Sequence, residues 1–335
     1  MVAPPFCLAL GYTLQSAVCG LLSPFHYPMS PASAKEHLLS LISDVNAADA
    51  AIYDAKDSLG HSMDTIKIIQ APEGDYLAVY HTLLDAQFHS SVATSNDLRT
   101  FTWAAGFGAG TSQPTIFAVD GGSAGYVVAW EQEPANHIAV RYFPDRHHLL
   151  TGNATRAFNA PQTLSRCAEG TPSIHAVELH PDIDQSVIHI GGHYFRDCRV
   201  DRQQRGTLTN FTTWVADPRP DLDAAIEAWG VAGNIGGRDP LLTSVEDGET
   251  RFQLMEGQHT FGDFGSWRVY LHDSSTRTAE RVDIATAKGS TAFANPSISR
   301  IISPQGREAI VVGLFIPSEG AAEGEAGQLI YYREY

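Results

Sequence analysis

Five times along this chain a β-rich segment opens in nearly the same way. "DTIKIIQAPEGDYLAVYHT" starts at Asp64, "PTIFAVDGGSAGYVVAWEQE" at Pro114 and "PSIHAVELHPDIDQSVIHIGGHYF" at Pro172. "PLLTSVEDGETRFQLMEGQ" starts at Pro240 and "PSISRIISPQGREAIVVGLFIPSEG" at Pro296. Each has Pro (Asp in the first copy), then usually Ser or Thr, then an aliphatic residue. A short apolar strand leads into a turn rich in Gly, Asp, Glu or Pro, and a second strand follows. The starts lie 50, 58, 68 and 56 residues apart, the period of a four-stranded propeller blade. The Pro-Ser/Thr opening reads as register chemistry, with Pro tolerated at the first residue of a strand.

Outer strands are available for most copies. "FHSSVATS" and "TFTWAAGF" follow the first hairpin, "HIAVRYFPD" the second, and "SWRVYLHD" and "ERVDIAT" the fourth. The last copy has only "GQLIYYREY" before the chain ends, so "AAIYDA" at 50–55 is expected to supply its missing strand and close the ring. Ahead of it, "SAKEHLLSLISDV" carries Leu38, Leu39, Leu41, Ile42 and Val45 on one helical face. The expectation is all-β: a five-bladed β-propeller over 50–335, preceded by an extension at 21–49 holding one amphipathic helix.

The first twenty residues stand apart. "PPFCLALGYTLQSAVCGLL" is apolar, uncharged and ends in small residues, as a signal peptide does, although it lacks a basic start; a buried first strand is the rival reading. It is too polar and interrupted for a membrane span. Asn153-Ala-Thr155 and Asn210-Phe-Thr212 match N-glycosylation acceptors. Once Cys7 and Cys19 leave with the signal, Cys167 and Cys198 can form one disulfide, two buried thiols being the alternative. These features point to the secretory pathway or the extracellular space. Acidic residues outnumber basic ones 38 to 22, and no Lys/Arg stripe is present to track phosphates, which argues against a nucleic-acid partner.

In a blade meander, the loop entering the inner strand and the loop leaving the second strand share one face. The strand starts nominate His61, Asp64, Gln113, Thr171, Arg238, Asp239 and Asn295. The second-strand ends nominate His81, Trp130, Glu131, His193, Tyr194, Glu256, His259 and Glu319. Asp239 and Glu256 are thereby expected at one mouth. Polar residues crowd these ends while strand interiors stay apolar, as a ligand funnel requires. His147-His148 reads as a solvated loop pair, and His193 is as much a core histidine as a site residue. No metal-ligand spacing, phosphate loop or GxSxG elbow occurs.

Two chemistries suit such a funnel. Paired carboxylates among Asp64, Glu131, Asp239 and Glu256 would cleave glycosidic bonds, one as acid and the other as base or nucleophile; Arg238-Asp239-Pro240 is similar to the Asp-Pro blade start of arabinanase-like enzymes. Alternatively, "GNIGGRDP", "FGDFGSWRVYLHD", "NPSISRI" and "GQLIYYRE" give residues 60–335 a likeness to another family: the chain resembles the fungal hetero-Diels–Alderases of tropolonic sesquiterpene biosynthesis. That resemblance implies dehydration of a hydroxymethyl tropolone to a quinone methide, then cycloaddition to a humulene-type alkene, an apolar small-molecule substrate with no cofactor. His81, His193 or Tyr194 would donate the proton, Arg238 would hold the tropolone oxygens, and Trp130, Phe261, Phe264 and Trp267 would wall the alkene. A lectin-like propeller is the third reading; the aromatics do not recur in register from blade to blade, which that reading would require.

Overall fold

The computed structural model describes residues 31–335 apart from 120–124, 179, 181–182 and 246–247, and side chains throughout these except at 31–32 and 242–250. The segment read as a signal peptide, with Cys7 and Cys19, lies outside the described residues. A helix, α1 (Pro31–Ser43), is followed by a short strand, β1 (Ala50–Ile52). Five four-stranded antiparallel sheets then form a ring. Blade one is β2 (Asp64–Gln70), β3 (Tyr76–Leu84), β4 (Gln87–Ser95) and β5 (Thr102–Ala109). Blade two is β6 (Thr111–Val119), β7 (Gly125–Gln132), β8 (His137–Phe143) and, after α2 (Arg146–Leu150), β9 (Arg156–Asn159). Blade three is β10 (Glu169–Glu178), β11 (Val187–Arg196), β12 (Val200–Thr209) and β13 (Thr213–Pro218), followed by α3 (Pro220–Glu227). Blade four is β14 (Ile235–Val245), β15 (Gly248–Gln258), β16 (Trp267–Asp273) and β17 (Thr278–Val282). Blade five joins β18 (Ala294–Ile302), β19 (Glu308–Ile316) and β20 (Gly327–Glu334) to β1, with Ala50 opposite Tyr332 and Ile52 opposite Ile330.

The ring closes through the segment expected from sequence. Burying this N-terminal strand against the C-terminal one removes two free edges at once. Second strands such as β3 are buried on both faces because each sheet is sandwiched between neighbours, so they read as continuous apolar runs rather than alternating ones. The helix packs Leu38, Leu41 and Ile42 into the core shared by blades four and five, and the Ile42 carbonyl accepts from Tyr331 Oη at 2.5 Å. His147 and His148 sit in α2, where the His148 ring lies 2.8 Å from the Asp145 carboxylate, rather than in an open loop.

Proline does not start the inner strands. β6, β10, β14 and β18 begin ahead of it, and the pairing slips by residues that include Pro114, Pro172 and Pro296, with Pro240 resuming it in blade four. At each slip one residue has a positive φ: Thr65 (55°), Gln113 (53°), Thr171 (45°), Gly237 (146°) and Asn295 (48°). These are β-bulges, where a missing N–H costs no ladder bond. Cys167 and Cys198 form a disulfide, and the sequon residues Asn153 and Asn210 are exposed.

Candidate functional site

Immediately before the bulge in blades one, two, three and five, and one pair earlier in blade four, a residue of the second strand stands opposite the start of the inner strand. The pairs are Asp64 with His81, Ser112 with Glu131, Gly170 with His193, Gly236 with Glu256, and Ala294 with Phe315. His81, Glu131, His193, Glu256 and Phe315 all stand where their blade's inner pairing begins, and they form a ring around the funnel floor. The bulges orient three of them. Gln113 N donates to His81 Nδ1 at 3.0 Å, Thr171 N to Glu131 Oε2 at 3.1 Å, and Asn295 N to Glu256 Oε2 at 2.5 Å. In each case the donor belongs to the next blade. The bulge thus turns a backbone N–H that would have served a ladder toward the neighbouring side chain.

A cavity of about 510 Å³ opens above this ring. Besides the ring it is lined by Gln113, Thr171 and Asn295, by the acids Asp201 and Glu133, and by Phe88, Phe195, Phe261, Phe264 and Trp267. Phe261 and Phe264 are 56% and 53% exposed and form an apolar rim on the loop after β15. Glu131 (8% exposed) and Glu256 (5%) lie on the floor. Two glycines make room for them: a Cβ on Gly170 would fall 2.0 Å from Glu131 Oε2, and one on Gly236 would fall 2.2 Å from Glu256 Oε1.

The two carboxyls are treated differently by their surroundings. Glu131 accepts from Thr171 N and, through a short bond, from Asn136 Nδ2. For Glu256, burial pushes the pKa up to about 7, opposed by the Asn295 N–H, the Arg238 guanidinium and His193. Burial also raises Asp201, with His193 pulling it back and Glu131 raising it further; its Oδ1 is 3.5 Å from His193 Nε2. Burial, with Arg238 nearby, lowers His81 to about 3. A neutral His81 whose Nδ1 accepts a bond carries its proton on Nε2.

Of the nominated residues, His81, Gln113, Glu131, Thr171, His193, Glu256, Phe261, Phe264, Trp267 and Asn295 meet at this cavity. Others do not. Trp130 and Tyr194 adjoin ring residues and so point to the opposite face of their strands. Trp130 stacks on Phe107 at 5.1 Å beneath Arg141, and Tyr194 is buried. Arg238 does not face a ligand. It is wholly buried on the axis and donates to the carbonyls of Thr65 (2.6 Å) and Pro114. Asp239 is structural too: it accepts from Lys67 Nζ at 2.8 Å, Ile298 N at 3.0 Å and Ser173 Oγ at 3.4 Å, joining four blades. Asp239 and Glu256 are therefore parted by the bulge, one buried among the inner strands and the other on the cavity floor. Asp64 accepts from Ser62, His61 sits 3.5 Å from Asp57, and His259 contacts the Tyr270 hydroxyl at 2.9 Å; none of these three, nor Glu319, lines the cavity. Sequence reasoning missed Asn136, Asp201 and Phe315. Phe315 was available from the five-fold register alone, whereas Asn136 and Asp201 come from parts of the blade that the repeat does not mark.

Among the described residues no cluster of His, Cys, Asp and Glu is disposed to hold a metal ion, and no helix is long and apolar enough to cross a membrane. The fold and its lined funnel define a five-bladed propeller with a polar, acid-bearing floor. Neither a family model nor a curated protein sequence matches the chain. Solved structures do. A protein solved as an RGII complex aligns over 90% of the present protein and 94% of its own length, with TM-score 0.57 and 8% identity. A structure described as a glycoside hydrolase aligns over 92% and 96%, with TM-score 0.56 and 8% identity. A mutant of an α-L-arabinofuranosidase from Fusarium graminearum, bound to an iminosugar inhibitor, aligns over 86% and 97%, with TM-score 0.50 and 9% identity. At such identities the likeness establishes the shared fold.

Proposed function

We propose that the funnel hydrolyses a glycosidic bond, with Glu256 as general acid and Glu131 as the carboxylate acting at the anomeric carbon. The observation that carries this reading is the pair itself: two carboxyls on one cavity floor from alternate blades, one whose proton is held to about pH 7 and one receiving two N–H donors. Glycosidases need that division, an acid for the leaving oxygen and an anionic partner across the ring. His193 and Asp201 border both. Exposed Phe261 and Phe264 at the rim give sugar faces an apolar surface to stack on. The glycoside hydrolase and α-L-arabinofuranosidase among the fold neighbours support the substrate class. The disulfide and the exposed sequon asparagines support a secreted setting.

The test is a panel of aryl glycosides that includes α-L-arabinofuranosides. Release of the aglycone is expected to fall at least ~10³-fold in Glu131→Ala, with azide restoring part of it, while Glu256→Ala is hit hardest on substrates with poor leaving groups. Absence of turnover above the blank across the panel would refute the reading.

A second reading, the hetero-Diels–Alderase one, is favoured by the aromatic lining. Phe88, Phe195, Phe261, Phe264, Trp267 and Phe315 enclose much of the cavity, and the neutral His81 offers an Nε2–H hydrogen bond to a leaving hydroxyl. Arg238 has no part in it. Incubation with a hydroxymethyl tropolone and humulene tests it; equal adduct formation without protein removes it.

A further inference from the structure

Four of the five blade interfaces are filled by large apolar clusters. Those between blades one and two, two and three, four and five, and five and one each bury a dozen or more hydrophobic side chains. Between blades three and four the described residues form only a small cluster, in which α3 contributes Leu222 and Ile226 and blade four contributes Ile235, Met255 and Tyr270. The rest of that seam is a separate cleft of about 260 Å³, lined by His175, Arg205, Arg219, Arg251, Gln253, His272 and Ser274. It lies between the sheets, apart from the funnel.

Its lining is one-sided in charge. Arg205 and His175 come from blade three, Arg251 and His272 from blade four, and Arg219 from the turn into α3. Arg205 carries no ion pair among the described residues, and Arg219 gives Nε and Nη2 to Asp221 at 3.1 Å each. His272 is 1% exposed, yet among the described residues its Nε2 has no hydrogen-bond partner, and neither has the shielded Nε2 of His175. A buried polar nitrogen left unpaired is costly, by ~1–3 kcal/mol. The crowding shows in titration as well: burial, then Arg251, Arg205 and Arg219, lowers His175 to about 3. Gly191 accommodates that ring, since a Cβ there would lie 2.5 Å from His175 Nε2.

We propose that this cleft binds a tetrahedral, doubly charged oxyanion, phosphate or sulfate, free or as an ester. Guanidinium donors stand on both walls, with imidazole N–H groups between them. A tetrahedral anion presents oxygens to both walls at once, whereas a planar carboxylate would satisfy one. The bound anion would also bridge blades three and four.

Titration calorimetry of the intact protein tests this with inorganic phosphate, inorganic sulfate and glucose 6-sulfate, at millimolar levels and matched ionic strength in chloride, because concentrated sulfate stabilises any protein by exclusion. Saturable binding of the inorganic ions is expected, weakened at least ~10-fold in Arg205→Ala and in His272→Gln. Arg205 is exposed and has no ion pair among the described residues, so its replacement should leave the anion-free melting temperature essentially unchanged. Binding of the ions but not of the ester identifies a site for the free anion; binding of all three identifies an ester site. No saturable heat with any probe, or affinities unchanged in both variants, overturns the proposal.

Discussion

Replacing Glu256 with Gln should make the protein more stable, and only above a particular pH. The folded carboxyl titrates at about 7 against an ordinary 4.5, mainly because it is buried. Below pH 4.5 the group is protonated in folded and unfolded chains alike, and it contributes no pH dependence. Between 4.5 and 7 the unfolded chain releases the proton while the folded one keeps it, so stability falls by ~1.4 kcal/mol per pH unit. Above 7 the full cost, ~3 kcal/mol, is in place. Gln keeps an oxygen for Asn295 N, whose bond to Oε2 is 2.5 Å, but has nothing to ionise. The two proteins should therefore differ by a fixed amount near pH 4.5 and diverge in favour of Gln up to pH 8. At ~2 °C per kcal/mol for a chain of this size, the change in the melting-temperature difference is ~6 °C. Thermal melts of both proteins at half-unit steps from pH 4.5 to 8 read it directly. A difference that stays constant over that range would show that Glu256 is not a buried acid, and the assignment of the proton donor would fall with it.

Gly170→Ala should reduce turnover ~10²-fold on whichever substrate the funnel accepts, because the new Cβ would fall 2.0 Å from Glu131 Oε2 and move the carboxylate out of line; Gly106→Ala, whose Cβ would have no neighbour closer than 3.7 Å, should not. Nitrogen-15 spectra should show His81 as the neutral Nε2–H tautomer throughout pH 5–8, given a pKa of about 3; an imidazolium signal at pH 6 would contradict its assigned role. Paired Cys167→Ser and Cys198→Ser substitutions, which open a loop with a sequence separation of 31, should cost ~3–4 kcal/mol in denaturant unfolding, and reducing agent should reproduce the loss in the unsubstituted protein.

The blade hairpins were legible because second strands buried on both faces leave continuous apolar runs, "YLAVY" and "AIVVGLFI" among them. Ring closure was legible because the last copy lacks a strand. Blade three's outer strands were not. β12 buries Arg202, Gln203 and Gln204, polar residues that no hydropathy pattern marks as interior. Their side-chain donors are met from outside the strand: Arg202 pairs with Glu227, Gln203 Nε2 donates to the Ile235 carbonyl, and Gln204 Nε2 donates to Glu169 and to the His193 carbonyl. The facing of site residues was likewise hidden by the bulge. Alternation along the second strand puts Glu131 and His193 on the cavity side and Trp130 and Tyr194 on the other, while the extra residue on the inner strand sets which residues of that strand face them. The same slip sends Arg238 and Asp239 down the axis.

The ring explains why a repeat this regular can carry a site at all. In blades one, two and four, an imidazole nitrogen or a carboxylate oxygen accepts the next blade's bulge N–H. The backbone device is common, and the side chain that answers it varies. Phe315 cannot accept, and at that seam Gln328 reaches the backbone N–H of Ile66 instead, at 3.5 Å. His193 is the other exception. The neighbouring bulge is at Gly237, and the imidazole turns to Asp201 rather than to a backbone donor. The one ring imidazole not fixed as a bulge acceptor is therefore the one set against an acid whose own pKa burial raises. It stands between Glu131 and Glu256 in blade order, and no bulge N–H ties it to the register of the blades.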